Sequence, residues 1–217
     1  IARLLVVKAD EIIFTSGATE AINLALKGIF FAYQSKGKHI ITAQTEHNAV
    51  LDTCKFLEGN GAEISFLKAD REGNVNADEL KSTLRSDTIL VAIMLANNET
   101  GTVQDIQQLS KITHENNSIF FSDTTQAFGK MNVDVNELGI DVCCISAHKI
   151  YGPKGSGALF VRRKNPRVNL IPQMHGGGHE RGLRSGTLNV PGIVGLGKAC
   201  EIAKAEWWND AAKLSVM

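Results

Sequence analysis

Short apolar, β-prone runs in this chain alternate with longer runs whose apolar residues recur at helical spacing, and that alternation leaves few folds open. Residues 40–43, 63–67, 89–95, 119–122 and 142–146 read as buried strands. Between them, residues 20–34, 49–58, 77–84 and 106–115 carry the helical pattern. Asn76 followed by Asp78 and Glu79 supplies a cap and an acidic first turn. Residues 157–161 read as a further strand, a candidate to run antiparallel to the rest, and a long helix is expected from Pro191 to about Trp208. The pattern predicts an α/β fold, a mostly parallel sheet with helices on both faces. Ligands of such sheets bind outside the carboxyl ends of the strands. No repeat or low-complexity linker breaks the chain. Residues 1–217 are therefore expected to form a single large domain, with the Gly176-Gly177-Gly178 run a connection inside it.

Bulk properties narrow the function classes. Lys+Arg and Asp+Glu both number 23, so the formal net charge is zero. That balance argues against a nucleic-acid surface and against anionic membrane binding. No apolar run approaches the roughly 20 residues of a membrane helix. Cys54, Cys143, Cys144 and Cys200 show no CxxC spacing, so neither a metal site nor a dithiol motif is indicated, and a reducing cytoplasm fits them. The chain opens at Ile1 in mid-pattern and stops soon after a helical run, which reads as an internal piece of a longer protein.

Chemistry-bearing residues collect where predicted strands end. Thr15-Ser16-Gly17-Ala18-Thr19 follows Ile12-Ile13-Phe14 and opens a helix. Free N–H groups there suit a phosphate, with the Thr19 hydroxyl as a further donor, although an ordinary cap has the same composition. His47 follows residues 40–43, where it can stack on an aromatic ring or simply cap a helix. Asn97 and Asn98 follow residues 89–95; they are costly to bury unpaired, and Asn98 can bond a phenolic oxygen or serve a turn. Asp123 ends the strand from Ile119 and can pair with a protonated pyridine nitrogen, with Gln126 three residues on. Ser146-Ala147-His148-Lys149 precedes a glycine-rich turn. A buried lysine amine beside another cation has its pKa lowered and can act as a nucleophile. Residues 181–189 combine Arg181, Arg184, Ser185 and Thr187, which could close over a phosphate or form a basic surface loop.

Taken in this order the motifs resemble the cysteine desulfurases of the NifS/IscS type, within the class-V aminotransferase group. The resemblance rests on Phe14-Thr-Ser-Gly-Ala-Thr-Glu20, Thr45-Glu-His-Asn-Ala-Val50, Asn97-Asn-Glu-Thr-Gly101, Asp123-Thr-Thr-Gln126, Ser146-Ala-His-Lys-Ile-Tyr-Gly-Pro-Lys154 and Arg184-Ser-Gly-Thr-Leu-Asn189. It spans the whole chain, and the last two blocks, with Gly176-Gly-Gly-His-Glu180, resemble the iron–sulfur housekeeping branch. The resemblance implies the fold-type I architecture of pyridoxal 5'-phosphate (PLP) enzymes, with a seven-stranded type of sheet. It implies a Schiff base at Lys149 and a cofactor site made of Ala18, Thr19, His47, Asn98, Asp123, Gln126, Ser146, Ala147, His148 and Lys149. Ala18, Thr19, Ser146 and His148 would hold phosphate, Asn98 and Gln126 the ring oxygen, and Asp123 the ring nitrogen. His47 would stack on the ring and assist proton transfer. Thr187 would reach the phosphate of a neighbouring subunit, hence a homodimer.

By the same resemblance L-cysteine is converted to L-alanine, and a loop cysteine carries the sulfur as a persulfide to an iron–sulfur scaffold or another acceptor protein. That thiol and a carboxylate-binding arginine lie beyond the PLP lysine in family members, and neither has a counterpart here. Residues 190–217 would then be a helix leading towards a small carboxy-terminal domain. The isolated 217 residues are expected to bind cofactor at most. Other readings of the residues are a related class-V enzyme, such as a selenocysteine lyase or an aminotransferase, and a non-catalytic scaffold module.

Overall fold

A computed structural model describes residues 1–214. A seven-stranded sheet forms its centre, in the order β1-β7-β6-β5-β4-β2-β3. The strands are β1 (Ile12–Thr15), β2 (His39–Ala43), β3 (Glu63–Leu67), β4 (Thr88–Ala92), β5 (Ile119–Asp123), β6 (Val142–Ser146) and β7 (Gly157–Val161). Parallel pairs link β3, β2, β4, β5 and β6. Only β7 runs against its neighbours, pairing antiparallel with both β6 and β1. The α/β architecture and the antiparallel β7 are as the sequence pattern indicates.

Interior strands β2, β4, β5, β6 and β7 are buried along their whole length. They read as continuous apolar runs because helices cover both faces. Helices α2 (Ala18–Tyr33) and α3 (Asn48–Glu58) pack on one face, where Ile22, Leu26, Val50 and Leu57 meet Ile40, Leu90, Phe121 and Leu159. The opposite face takes α1 (Ala2–Leu5), α4 (Ala77–Thr83), α5 (Ile106–Glu115) and the start of α6 (Val190–Leu214). There Leu5, Leu80, Leu109 and Leu196 meet Ile41, Val91, Phe120 and Phe160. Period-2 alternation along each strand divides its side chains between the two cores.

Caps set the helix starts. Asn76 Oδ1 accepts from Asp78 and Glu79 N–H and opens α4, while Asp105 accepts from Gln108 N–H and opens α5. Three departures from the pattern have physical causes. Strand β4 ends at Ala92 although residues 93–96 remain buried. Ile93 and Leu95 still donate to Phe121 and Asp123 carbonyls, but on the β2 side Met94 N–H goes to Oε1 of Glu46, so ladder pairing there stops. Helix α6 runs on to Leu214, its exposed half lacking any breaker. The expected helix over residues 190–217 includes 215–217, which lie outside the described residues. The four-residue α1 is too short to leave a periodic signature.

Candidate active site

Strand ends converge because five parallel strands and β1 point the same way. Across β1, β7 and β6, Thr15, Gly157 and Ser146 lie in register. Gly157 is packed so closely that an added Cβ would sit 2.6 Å from Gly17 Cα and 2.7 Å from Ile145 O. Gly17 itself holds φ 155° and ψ −177°, a backbone state in which a side chain is strained, and serves as N-cap of α2 with no side-chain cap bond. The first N–H groups of α2 therefore point outward beside Ser146. Thr15 Oγ1 donates to Gly17 O at 3.0 Å and fixes the turn.

Glu20 stands in that first turn, where an acid would compete with a bound anion. Arg184 neutralises it, with Nε 2.7 Å from Oε1, and Ser16 N–H donates to Oε2 at 2.8 Å. Burial pushes the Glu20 carboxyl up, but the bonds from Arg184 and Ser16 outweigh that and hold it below its ordinary value. Arg184 thus tethers the 181–189 segment to α2 from outside the cavity.

After β6 the chain makes a 3₁₀ turn over Ala147–Ile150 and leaves it through Tyr151 at φ 62°. The turn turns Lys149 into the cavity and His148 beside it. Ser146 Oγ and His148 Nδ1 are 2.9 Å apart. Burial, then the Lys149 and Lys154 ammonium groups, hold the His148 imidazole below its ordinary value.

Asp123 closes β5, and its buried Oδ1 accepts from Thr125 N–H at 2.9 Å and from Cys144 Sγ at 3.2 Å. Gln126 Oε1 accepts from Lys130 Nζ at 3.0 Å, which leaves the Gln126 amide nitrogen as the free donor. Burial, then Lys149, hold the Lys130 amine below its ordinary value. On the far wall, His47 caps α3 by accepting from Ala49 N–H through Nδ1 at 3.0 Å. The two asparagines divide their tasks. Asn97 Oδ1 accepts from Glu99 and Thr100 N–H and its amide donates to Thr45 O, so it builds the turn. Asn98 borders the cavity.

The cavity encloses about 460 Å³. Of the residues expected at the site, Ala18, Thr19, His47, Asn98, Asp123, Gln126, Ser146, His148 and Lys149 line it. Two do not. Ala147 is fully buried in the core behind the turn, its N–H bonded to Ser156 O at 3.0 Å, so its side chain faces away from the cavity. Thr187 is exposed and lies off the cavity wall. Lys149 is half-buried rather than buried, and Asn98 is exposed rather than enclosed. Sequence reasoning left unassigned Ser16, Gly17, Glu20, Met94, Ala96, Thr125, Lys154 and Gly155, which also face the cavity. Ser16, Gly17, Lys154 and Gly155 belong to motifs already visible; Met94, Ala96 and Thr125 carry no chemical signal and are placed there by strand direction alone.

Relatives of known kind share this arrangement of elements. The family model for class-V aminotransferases matches residues 1–214. A curated protein named cysteine desulfurase IscS, from Anaeromyxobacter sp. (strain K), is 52% identical over 217 residues, which is 100% of this chain and 54% of that protein. Another of that name, from Pectobacterium carotovorum subsp. carotovorum (strain PC1), is 54% identical, again over 100% of this chain and 54% of its own length. Among solved structures, a NifS-like protein superposes with a TM-score of 0.91 at 42% identity, covering 96% of this chain and 57% of that one. A structure of SspA in complex with cysteine gives 0.88 at 43% identity, over 93% of this chain and 58% of its own. The chain spans about half the length of the curated relatives it matches. With a family model matched over residues 1–214 and a doubly wound sheet that aims a lysine, an aspartate and an open helix N-terminus into one cavity, this chain belongs to the class-V aminotransferase family.

Proposed function

We propose that this chain is the cofactor-carrying part of a PLP-dependent cysteine desulfurase. The carrying observation is the donor set of the cavity, whose chemistry fits that cofactor group by group. The N-terminus of α2 with Thr19, Ser146 and His148 suits a phosphate dianion. Asp123 supplies the carboxylate a pyridinium nitrogen needs, and Gln126 and Asn98 supply donors for a phenolic oxygen. Lys149 supplies the amine that would hold the aldehyde covalently. When bound, the cofactor supplies an electron sink for the substrate's α-carbon.

The chain's own residues then have defined tasks. Asp123 would hold a proton on the ring nitrogen. Lys149 or His47 moves the proton at the substrate α-carbon, since both border the cavity. His47 presents its ring to the cavity with Nδ1 already committed to Ala49 N–H, so Nε2 is the free nitrogen. Sulfur transfer needs a thiolate, and this region provides none. All four cysteines are buried, and burial pushes Cys54 and Cys143 up to about 12. The accepting thiol therefore belongs to another part of the protein.

L-cysteine as substrate is supported by the desulfurase names of the relatives and by the cysteine complex of SspA. The exposed position of Thr187 is consistent with service to a second copy, and we extend the proposal to a cytoplasmic homodimer that passes sulfur to an iron–sulfur scaffold or other acceptor. The PLP-loaded protein that contains this region together with the accepting thiol should release alanine from L-cysteine in step with sulfur transferred to that thiol. Lys149→Ala should abolish both. Release of pyruvate, or amino transfer to a 2-oxo acid with no sulfur released, would place the protein among other class-V enzymes.

A further inference from the structure

One buried acid takes no part in the chemistry proposed for the cavity. Glu46 sits between the end of β2 and His47, with only 5% of its surface exposed. Its Oε1 accepts from Met94 N–H at 2.7 Å. Its Oε2 is buried and has no hydrogen-bond partner among the described residues. No Lys, Arg or His forms an ion pair with it among those residues. The titratable groups facing it are Asp123 from β5 and Cys54 from α3, and neither is a cation.

An ionised carboxylate in that place would be buried, half-bonded and beside another acid, a combination that costs more than protonation. Asp123 has two donors on Oδ1 and opens onto the cavity, whereas Glu46 has one donor and no opening. The geometry around Glu46 therefore favours its protonated form. Burial, reinforced by Asp123, pushes its carboxyl well above the ordinary value, against the bond from Met94.

Its position gives the proton a purpose. Met94 and His47 both line the cavity, and Glu46 joins them: one by its side chain, the other as its neighbour in the chain. It also occupies the ladder position that β2 vacates beside β4. We propose that Glu46 is a positioning residue, a neutral carboxylic acid that pins the wall between His47 and Met94. This rests on the cofactor reading for its catalytic meaning, but not for its protonation state.

Two substitutions test it, Glu46→Gln and Glu46→Ala. The first arm uses the cofactor-free protein and urea unfolding from pH 5 to 9. An acid whose folded pKa is raised weakens folding as pH climbs above its ordinary value of 4.5, by up to about tenfold in the folding constant per pH unit until the folded pKa is passed. Glu46→Gln removes that slope, so the gap between variant and parent should shift in the variant's favour with rising pH. A gap that stays flat, or shifts towards the parent, overturns the neutral acid. The second arm titrates PLP at pH 8. Glu46→Ala should weaken binding tenfold or more, and Glu46→Gln, which can still accept from Met94 N–H, should restore most of it. Equal losses in both variants overturn the positioning role. If the parent itself fails to bind PLP, the cofactor reading fails, and the unfolding arm still decides the state of Glu46.

Discussion

Gly157→Ala should damage both the fold and the phosphate end of the cavity through one contact. The added methyl carbon would lie 2.6 Å from Gly17 Cα, 2.7 Å from Ile145 O and 2.9 Å from Gly17 C. All three atoms are backbone, so no side-chain rotation relieves the clash. Gly157 is paired on both sides, to Thr15 and Ser146, and cannot retreat without opening the sheet. Overpacking of this kind costs about 1–3 kcal/mol, and rigid neighbours place this case near 3. With a urea dependence of about 3 kcal/mol per molar, the unfolding midpoint should fall by about 1 M. The displaced atoms belong to the N-cap of α2. Misaligning that helix end should remove about 1–2 kcal/mol of anion stabilisation, a loss of roughly tenfold in PLP affinity. Urea unfolding without cofactor, followed by PLP titration, reads both effects. An alanine variant with an unchanged midpoint and unchanged affinity would refute the idea that β7 presses the turn into shape.

Gly197 in α6 has open space around it, so Gly197→Ala should raise stability by about 0.5–1 kcal/mol, measured by the same unfolding curve. The net lowering of the Glu20 carboxyl by Arg184 and Ser16 means that its stabilisation is present above about pH 4.5 and is lost as pH falls through the folded value. Glu20→Gln should therefore cost about 2 kcal/mol at pH 7 and progressively less in acid, seen as converging midpoints. His39 is buried between Thr88 and Ser65, and burial, with Arg85, holds its imidazole below 6.5. Its contribution is complete above pH 6.5 and is lost below it, so a His39→Gln variant should lose less stability than the parent between pH 7 and pH 5. Iodoacetamide should leave Cys54, Cys143, Cys144 and Cys200 unmodified in the folded protein and label all four in urea, read by peptide mass.

Much of this was legible in the sequence because the fold is built from periodic elements. Residues 63–67, 106–115, 142–146 and 157–161 have the structural boundaries that their apolar patterns indicate. The site was legible for the same reason, since polar residues at the ends of parallel strands must share one edge of the sheet. What stayed hidden depends on three-dimensional pairing. Nothing in the sequence says that Glu46 reaches across to Met94 and ends β4 at Ala92, because the contact spans 48 residues. That Ala147 lies off the cavity wall was not legible either, because a 3₁₀ turn points successive residues in different directions and sequence position alone does not say which one faces inward. The Arg184–Glu20 pair was likewise invisible: two ordinary charges 164 residues apart meet beside the first turn of α2.

Reduction with borohydride after PLP addition, followed by peptide mapping, bears most directly on the claim that this cavity is a covalent cofactor site. A phosphopyridoxyl group on the peptide that contains Lys149, absent in Lys149→Ala and undiminished by Lys154→Ala, is the result expected. A modification carried instead by Lys130 or Lys154, or no reducible adduct while the protein remains folded, would contradict it.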